Sequence, residues 1–294
     1  MQFFDLLNSL LYWFKRATYC LLLMILPILL TAQKDQLPIK WKDFNKEKIH
    51  PGLNWYHLQT STLYTSEQSI NLLQVKTNKR SVDLIYQPDT LITTSAYAKA
   101  VNAKAAVNGG FFNMKEGGSV TYLKKDGQVL AENQADLKSR GSVVIRGAVV
   151  INQNGKTQIE TPQTTTNYTQ ASKVDDVLLS GPLLIENGQS IILDSTKFNL
   201  DRHPRTSACT TKGNRLLLVT IDGRNEQAAG MSLPEMTQFL VALGCKNAIN
   251  LDGGGSTTMY IEGKTSNGIV NYPSDNRQFD HEGQRKVSNV LVVH

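Results

Sequence analysis

A chain of 294 residues, 40% hydrophobic and 19% charged, fits one generous globular domain or two small ones, and is unlike a disordered, collagen-like or multi-span membrane protein. The net charge of +6 comes from 31 Lys and Arg against 25 Asp and Glu. The basic residues are scattered and form no nucleic-acid arm, so no nucleic-acid partner is expected, and the excess charge at most favours anionic partners.

In chain order, the apolar run Ala17–Ala32 follows Lys15 and Arg16 and ends in small residues before Gln33, the layout of a secretory signal peptide over residues 1–32. An uncleaved anchor is the alternative, disfavoured because the run is shorter than the roughly 20 residues that span a bilayer and contains Pro27. Export to a periplasm or the exterior is therefore expected, with no stable membrane span after cleavage. Cys209 and Cys245 would then be the cysteines left in a compartment that permits disulfides, and pairing and buried free thiols stand as equal readings.

Residues 33–50 are polar without sustained period and are expected to be an extended lead-in, with the domain proper over 51–294. INLLQVKTN and VDLIYQ alternate as strands. Thr94 or Ser95 can cap a short Ala-rich helix running to Lys104. Asp126-Gly127, Asn154-Gly155 and Asn187-Gly188 join apolar runs as hairpin turns. Residues 157–176, rich in Thr and Gln, are expected as a surface excursion. RLLLVTIDGR is a buried-strand run, and Ser232-Leu-Pro-Glu235 is a capping box opening a helix that stops at Gly244. Hairpins dominate the middle and helices alternate with strands later. The expected fold is therefore α+β, a single domain of mixed, largely antiparallel sheet with a few packed helices.

Four places join a strand end, glycine and a polar group: Asn108-Gly-Gly-Phe-Phe-Asn113, Ser180-Gly-Pro182, Asp222-Gly-Arg224 and Asp252-Gly-Gly-Gly-Ser256. Three consecutive glycines pack poorly but can present a nest of N–H groups to an anion. A bulge or tight backbone crossing is the bland alternative there, and a plain hairpin turn is the alternative at Asn108. Arg205, just before the strand Thr206–Thr210, has the side chain suited to bidentate phosphate binding, although taken alone the motif is weak and reads first as a surface salt bridge. Asp222 and Asp252 could be an acid/base pair, or turn and capping residues. No His or Cys cluster has zinc spacing, and there is no G-x-S-x-G, Walker A or G-x-G-x-x-G.

Asn108-Gly-Gly-Phe-Phe, Ser180-Gly-Pro, Arg205-Thr206, IDGR, NAINLDGGGSTTM and the closing Val287-Ser-Asn-Val together resemble the phosphodiester glycosidase domain family from about Pro51 to His294. The resemblance implies hydrolysis of a sugar-1-phosphodiester, with an N-acetylglucosamine-type sugar favoured, at the anomeric C–O bond. Free sugar and a phosphomonoester would be the products. On that reading Arg205 and the N–H groups of Gly253, Gly254, Gly255 and Ser256 hold the phosphate, with Arg285 a second cation. Asp222 or Asp252 stabilises the cationic sugar or activates water, while Asn108, Asn113 and Asn289 orient hydroxyls. Gly109, Gly110, Gly181, Thr206 and Arg224 complete the expected substrate site. Replacing Arg205 by Ala is expected to lower turnover and leave folding intact. No cofactor is expected; a divalent cation held by carboxylates alone stays open, as no spacing would reveal it. A non-catalytic carbohydrate-binding or polysaccharide-assembly protein, or a phosphodiesterase cutting P–O, are the alternative functions.

Overall fold

The computed structural model describes residues 39–133, 146–213 and 215–294. The expected signal peptide lies outside them. Residues 39–294 form one compact unit, so the domain starts ahead of the Pro51 boundary expected from sequence. The reason is tertiary: Ile39 and Phe44 are buried, and residues 45–50, expected as lead-in, are the edge strand of the largest sheet.

In chain order the strands are β1 Asn45–His50, β2 Leu53–Thr60, β3 Gln68–Lys76, β4 Val82–Tyr86, β5 Ile92–Thr93, β6 Ala105–Asn108, β7 Leu123–Lys125, β8 Gln128–Ala131, β9 Gly147–Asn152 and β10 Thr157–Glu160. They continue as β11 Val174–Ser180, β12 Leu183–Glu186, β13 Gln189–Ser190, β14 Arg205–Thr211, β15 Arg215–Ile221, β16 Cys245–Asn250, β17 Met259–Ile261, β18 Lys286–Val287 and β19 Asn289–Val293. The α-helices are α1 Thr94–Ala100, α2 Thr165–Gln170, α3 Lys197–Leu200 and α4 Leu233–Ala242.

An eight-stranded sheet has the order β1-β2-β3-β15-β14-β16-β12-β13. Two smaller sheets, β10-β9-β11-β7-β8 and β17-β6-β19-β4, accompany it, with a short β18-β5 ribbon. Every described ladder is antiparallel, as the run of hairpin signals implies. The fold class expected from sequence, a single α+β domain, is the one observed.

The main core lies between the large sheet and the two smaller ones, where Leu73, Leu218 and Ile249 meet Val107 and Leu291 from one and Leu123 and Val149 from the other. Strand β19 shows why both of its faces are apolar: Leu291 and Val293 point into this core, while Val290 and Val292 pack with Tyr97 and Ala98 of α1. Helix α2 covers the outer face of the other small sheet through Tyr168, against Tyr122 and Val150. The stretch expected as a surface excursion is thus partly ordered structure, a strand and a covering helix. Helix α2 also explains a buried lysine, since Lys124 Nζ donates to the α2 C-terminal carbonyls of Tyr168 and Ala171 at 2.8 and 3.0 Å.

Helix α4 opens on the capping box read from sequence: Ser232 Oγ accepts from Glu235 N, and Glu235 Oε2 accepts from Ser232 N. It packs against β16 and β12. Cys209 on β14 and Cys245 on β16 form a disulfide with a Cα separation of 5.8 Å, which settles the two readings of those cysteines. Among the described residues, no helix is long and apolar enough to cross a membrane.

Candidate active site

The polar motifs sit where β14, β15 and β16 of the large sheet, at their ends remote from the disulfide, and β6 and β19 of the four-stranded sheet meet loops. Asn108, the last residue of β6, is fully buried and ties three loops together. Its Oδ1 accepts from Thr206 Oγ1 at 2.7 Å and from Thr258 N at 3.1 Å, while Nδ2 donates to Asp252 O at 2.6 Å. Gly109 follows because a Cβ there would collide with the Asn289 side chain. The Asn289 amide oxygen accepts from Gly110 N at 2.6 Å. Asn108, Thr206 and Asn289, expected to meet substrate, are instead buried with their polar groups engaged by protein, so they position the site. Asn113 is half-buried, and its Oδ1 accepts from Lys115 N and Glu116 N in an Asx turn, so its amide oxygen is engaged locally. Gly181 O accepts from Asn250 Nδ2 at 2.9 Å, bracing the strand end that leads into Asp252.

The two aspartates are in opposite situations. Asp222 is sealed in the protein. Its Oδ2 accepts from Ser69 Oγ at 2.6 Å, and its Oδ1 accepts from Asn271 Nδ2 at 2.8 Å and from Tyr272 N at 2.9 Å. Burial raises its pKa, and these donors hold it back. With 1% of its surface exposed, Asp222 anchors the segment Asn271–Tyr272 and cannot touch a substrate as the structure stands.

Asp252 is enclosed by protein on most sides but retains an opening to solvent. Burial pushes its carboxyl up to about 6, opposed by the Gly253 N–H, the nearby Ser256 hydroxyl and Arg285. Gly253 N donates to its Oδ1 at 3.0 Å. The Ser256 hydroxyl lies close enough to favour the charged form but outside hydrogen-bond geometry, which leaves it a fully buried oxygen with no partner.

The triple glycine works differently from the expected nest. Gly253 N is taken by Asp252, Gly254 N by Pro204 O at 2.8 Å, and Ser256 N by Gly253 O at 3.2 Å. Three of the four N–H groups expected to hold an anion are thus engaged within the protein, and that of Gly255 is not among them. What the glycines supply is close approach. A Cβ on Gly253 would stand 2.7 Å from Pro204 O, one on Gly254 3.0 Å from Arg224 Nη2, and one on Gly255 would strike the Arg285 guanidinium. Gly254 also has φ +61°, a left-handed conformation that side chains resist.

Two guanidiniums therefore lie directly against the loop that carries Asp252. Arg224 is exposed, sits at φ +64°, and makes no hydrogen bond or ion pair among the described residues. A strained backbone under an unpaired cation is the kind of cost found at ligand sites. Arg285 is held by Asp275 Oδ1, from Nε at 2.9 Å and Nη2 at 2.5 Å. Arg205 stands behind them. It is 2% exposed, and it donates to the carbonyls of Met231, Phe198 and Asp201 at 2.7–3.0 Å, with Phe198 stacked at 5.2 Å. Burial, then the neighbouring Arg224, lower its pKa to about 10. The surface ion pair weighed from sequence is not what Arg205 makes. Among the described residues, its Nη1 makes no hydrogen bond. His203 is pushed toward the neutral form by burial and by Arg205 and Arg224.

Sequence reasoning missed Ser69, Asn271, Tyr272 and Asp275, which hold Asp222 and Arg285. Their only local signal is the turn chemistry of Asn271-Tyr-Pro-Ser-Asp275. Among the described residues, no three His, Cys, Asp or Glu side chains gather as a metal-binding group.

The fold and site define a class: an antiparallel α+β domain that sets a partly exposed carboxyl of raised pKa on a glycine loop against which two guanidiniums pack, Arg224 without a protein partner among the described residues and Arg285 paired with Asp275. The model of the phosphodiester glycosidase family matches residues 101–294, and the chain belongs to that family. It is 33% identical over 224 residues to the human N-acetylglucosamine-1-phosphodiester alpha-N-acetylglucosaminidase and 30% identical over 211 residues to the mouse protein. Each match covers 69% of this chain and 40% of the relative, so the chain spans about two fifths of the length of these curated relatives. The zebrafish enzyme's catalytic domain, solved in a form auto-inhibited by its pro-peptide, superposes with a TM-score of 0.65 at 22% identity, covering 85% of this chain and 87% of that one. A hypothetical protein from Synechocystis superposes at 0.62 with 14% identity, over 85% of this chain and 63% of its own. These structures share the fold.

Proposed function

We propose that the protein hydrolyses sugar-1-phosphodiesters at the anomeric C–O bond, releasing free sugar and a phosphomonoester. The observation that carries this reading is Asp252, a partly exposed carboxyl raised to about 6, on a glycine loop against which Arg224 and Arg285 pack. The phosphate of such a substrate leaves as a stabilised anion, so charge stabilisation on its oxygens matters more than a strong acid. Arg224 and Arg285 take those oxygens, with Arg205 Nη1 behind them. Asp252, ionised above about pH 6, faces the sugar, steadies its cationic transition state and accepts a proton from the attacking water. The hydroxyl of that water becomes the new anomeric hydroxyl. Asp222 positions the site.

An N-acetylglucosamine-type sugar is favoured because the curated relatives carry that sugar in their names. The signal-like run Ala17–Ala32, together with a disulfide, supports an exported protein.

The test incubates the purified protein with a panel led by N-acetylglucosamine-α-1-phosphate esters, with and without chelator, following free sugar and sugar phosphate separately. Free sugar with an intact phosphomonoester is the expected result. Sugar phosphate would mean P–O cleavage, and binding without any product would leave a carbohydrate-binding protein.

A further inference from the structure

At the far end of the large sheet, two hollows flank the β14–β15 turn, and their charge is one-sided. One, of about 590 Å³, lies between the end of α4 and the sheet, and is lined by Trp41, Tyr56, Lys46, Lys76, Lys212 and Arg215 among others. The second, of about 410 Å³, shares Lys212 and Arg215 and adds Lys156 and Lys246. None of these six cations forms an ion pair among the described residues, and all but the half-buried Lys76 are exposed. Glu160 is the one carboxylate among the described lining residues, and it already accepts from the Tyr168 hydroxyl at 3.0 Å. Six like charges on one saddle repel one another, a cost that an anion crossing it would relieve.

Aromatic rings form part of the wall. Trp41 packs edge-on against Tyr56 with centroids 4.9 Å apart, and Lys46 Nζ lies 5.7 Å from the Tyr56 ring. Trp41 is half-buried, so part of the indole is available to a ligand. Apolar ring faces bordered by cations match a chain of pyranose rings that carries regularly spaced negative charge. A ring offers C–H faces to the indole, and its phosphates or carboxylates meet the lysines.

We propose that this saddle is a second binding site, separate from the candidate active site, for an anionic glycan. Strand β14 runs from Arg205 at the candidate active site to Thr211 at the saddle, roughly 20 Å at about 3.4 Å per residue. A polymer can thus be held at the saddle while the candidate active site stays free for a chain end. The proposal concerns binding and stands whether or not the candidate active site hydrolyses a phosphodiester.

The experiment measures binding of the purified protein to polygalacturonate, neutral dextran, duplex DNA and anionic lipid vesicles over a range of salt. Polygalacturonate is expected to bind in a salt-dependent way, more tightly than DNA or vesicles at equal charge, with dextran unbound. Lys46→Glu combined with Lys212→Glu should weaken polygalacturonate binding at least tenfold, while turnover of a small phosphodiester, if present, is unchanged. Trp41→Ala, checked for an unchanged melting curve, should weaken glycan binding and leave any DNA binding as it was. Equal affinity for dextran, tighter binding to DNA or vesicles, or an unaffected double variant would each overturn the proposal.

Discussion

At the scale of single residues the proposed chemistry turns on Asp252, whose titration would affect both rate and stability. A carboxyl at about 6 in the folded protein, against 3.8 ordinarily, binds its proton more tightly folded than unfolded. Its contribution to stability is therefore full below pH 3.8 and is lost as pH rises through about 6. Asp252→Asn should accordingly raise the melting temperature at pH 7 while lowering turnover by about 10²–10⁴-fold. In the unaltered protein, kcat/KM should fall as pH drops below about 6, and a flat profile from 4.5 to 7.5 would remove Asp252 as the base. The arginines separate by what already occupies them. Arg224→Ala should cost about 100-fold in kcat/KM with an unchanged melting temperature, as expected for a cation with no protein partner. Arg205→Ala should instead destabilise by roughly 3 kcal/mol, because it orphans the carbonyls of Met231, Phe198 and Asp201. That reverses the sequence-based expectation of intact folding. The reversal has a plain cause: sequence shows that an arginine precedes a strand, and only the fold shows where its donors go.

At the scale of elements, what the sequence made legible follows range. The capping box of α4, the Asn187-Gly188 turn with φ of +50° and +80°, and the Asp126-Gly127 turn with +49° and +79° are local and were readable. So were the four glycine-bearing strand ends, which do meet in one region. The use of those glycines was not readable, because an N–H nest and a close approach by Pro204 or Arg224 leave the same letters in the sequence. Strand β1 was missed for a similar reason: as an exposed edge, Asn45–His50 carries no apolar alternation, and β2 alone makes it a strand. Where glycine serves approach, a methyl group is enough to test it. Gly109→Ala should cost about 1–3 kcal/mol by thermal or denaturant unfolding, since Asn289 fills the space a Cβ needs.

Across the whole molecule, the large sheet carries the candidate site at one end and the disulfide at the other. Cys209–Cys245 joins β14 to β16, adjacent strands whose opposite ends deliver Arg205 and the Asp252 loop. Closing a 36-residue separation should contribute roughly 3–4 kcal/mol, so reduction should lower the melting temperature markedly. An unchanged melting curve in reductant would show that the strand ladder suffices without the bond.

The segment from Asn271 to Arg285 has a further meaning for redesign. It is clasped by the sealed Asp222 at its beginning, is stiffened inside by Tyr272 stacked on Phe279 and His281 with centroids 3.8 and 4.6 Å apart, and delivers Arg285 at its end. It behaves as a cassette with its own internal bracing and one buried clasp. Asn271, Tyr272, Phe279, His281 and the Asp275–Arg285 pair are its fittings, and exchange confined to the exposed positions between them would leave the sheet beneath undisturbed.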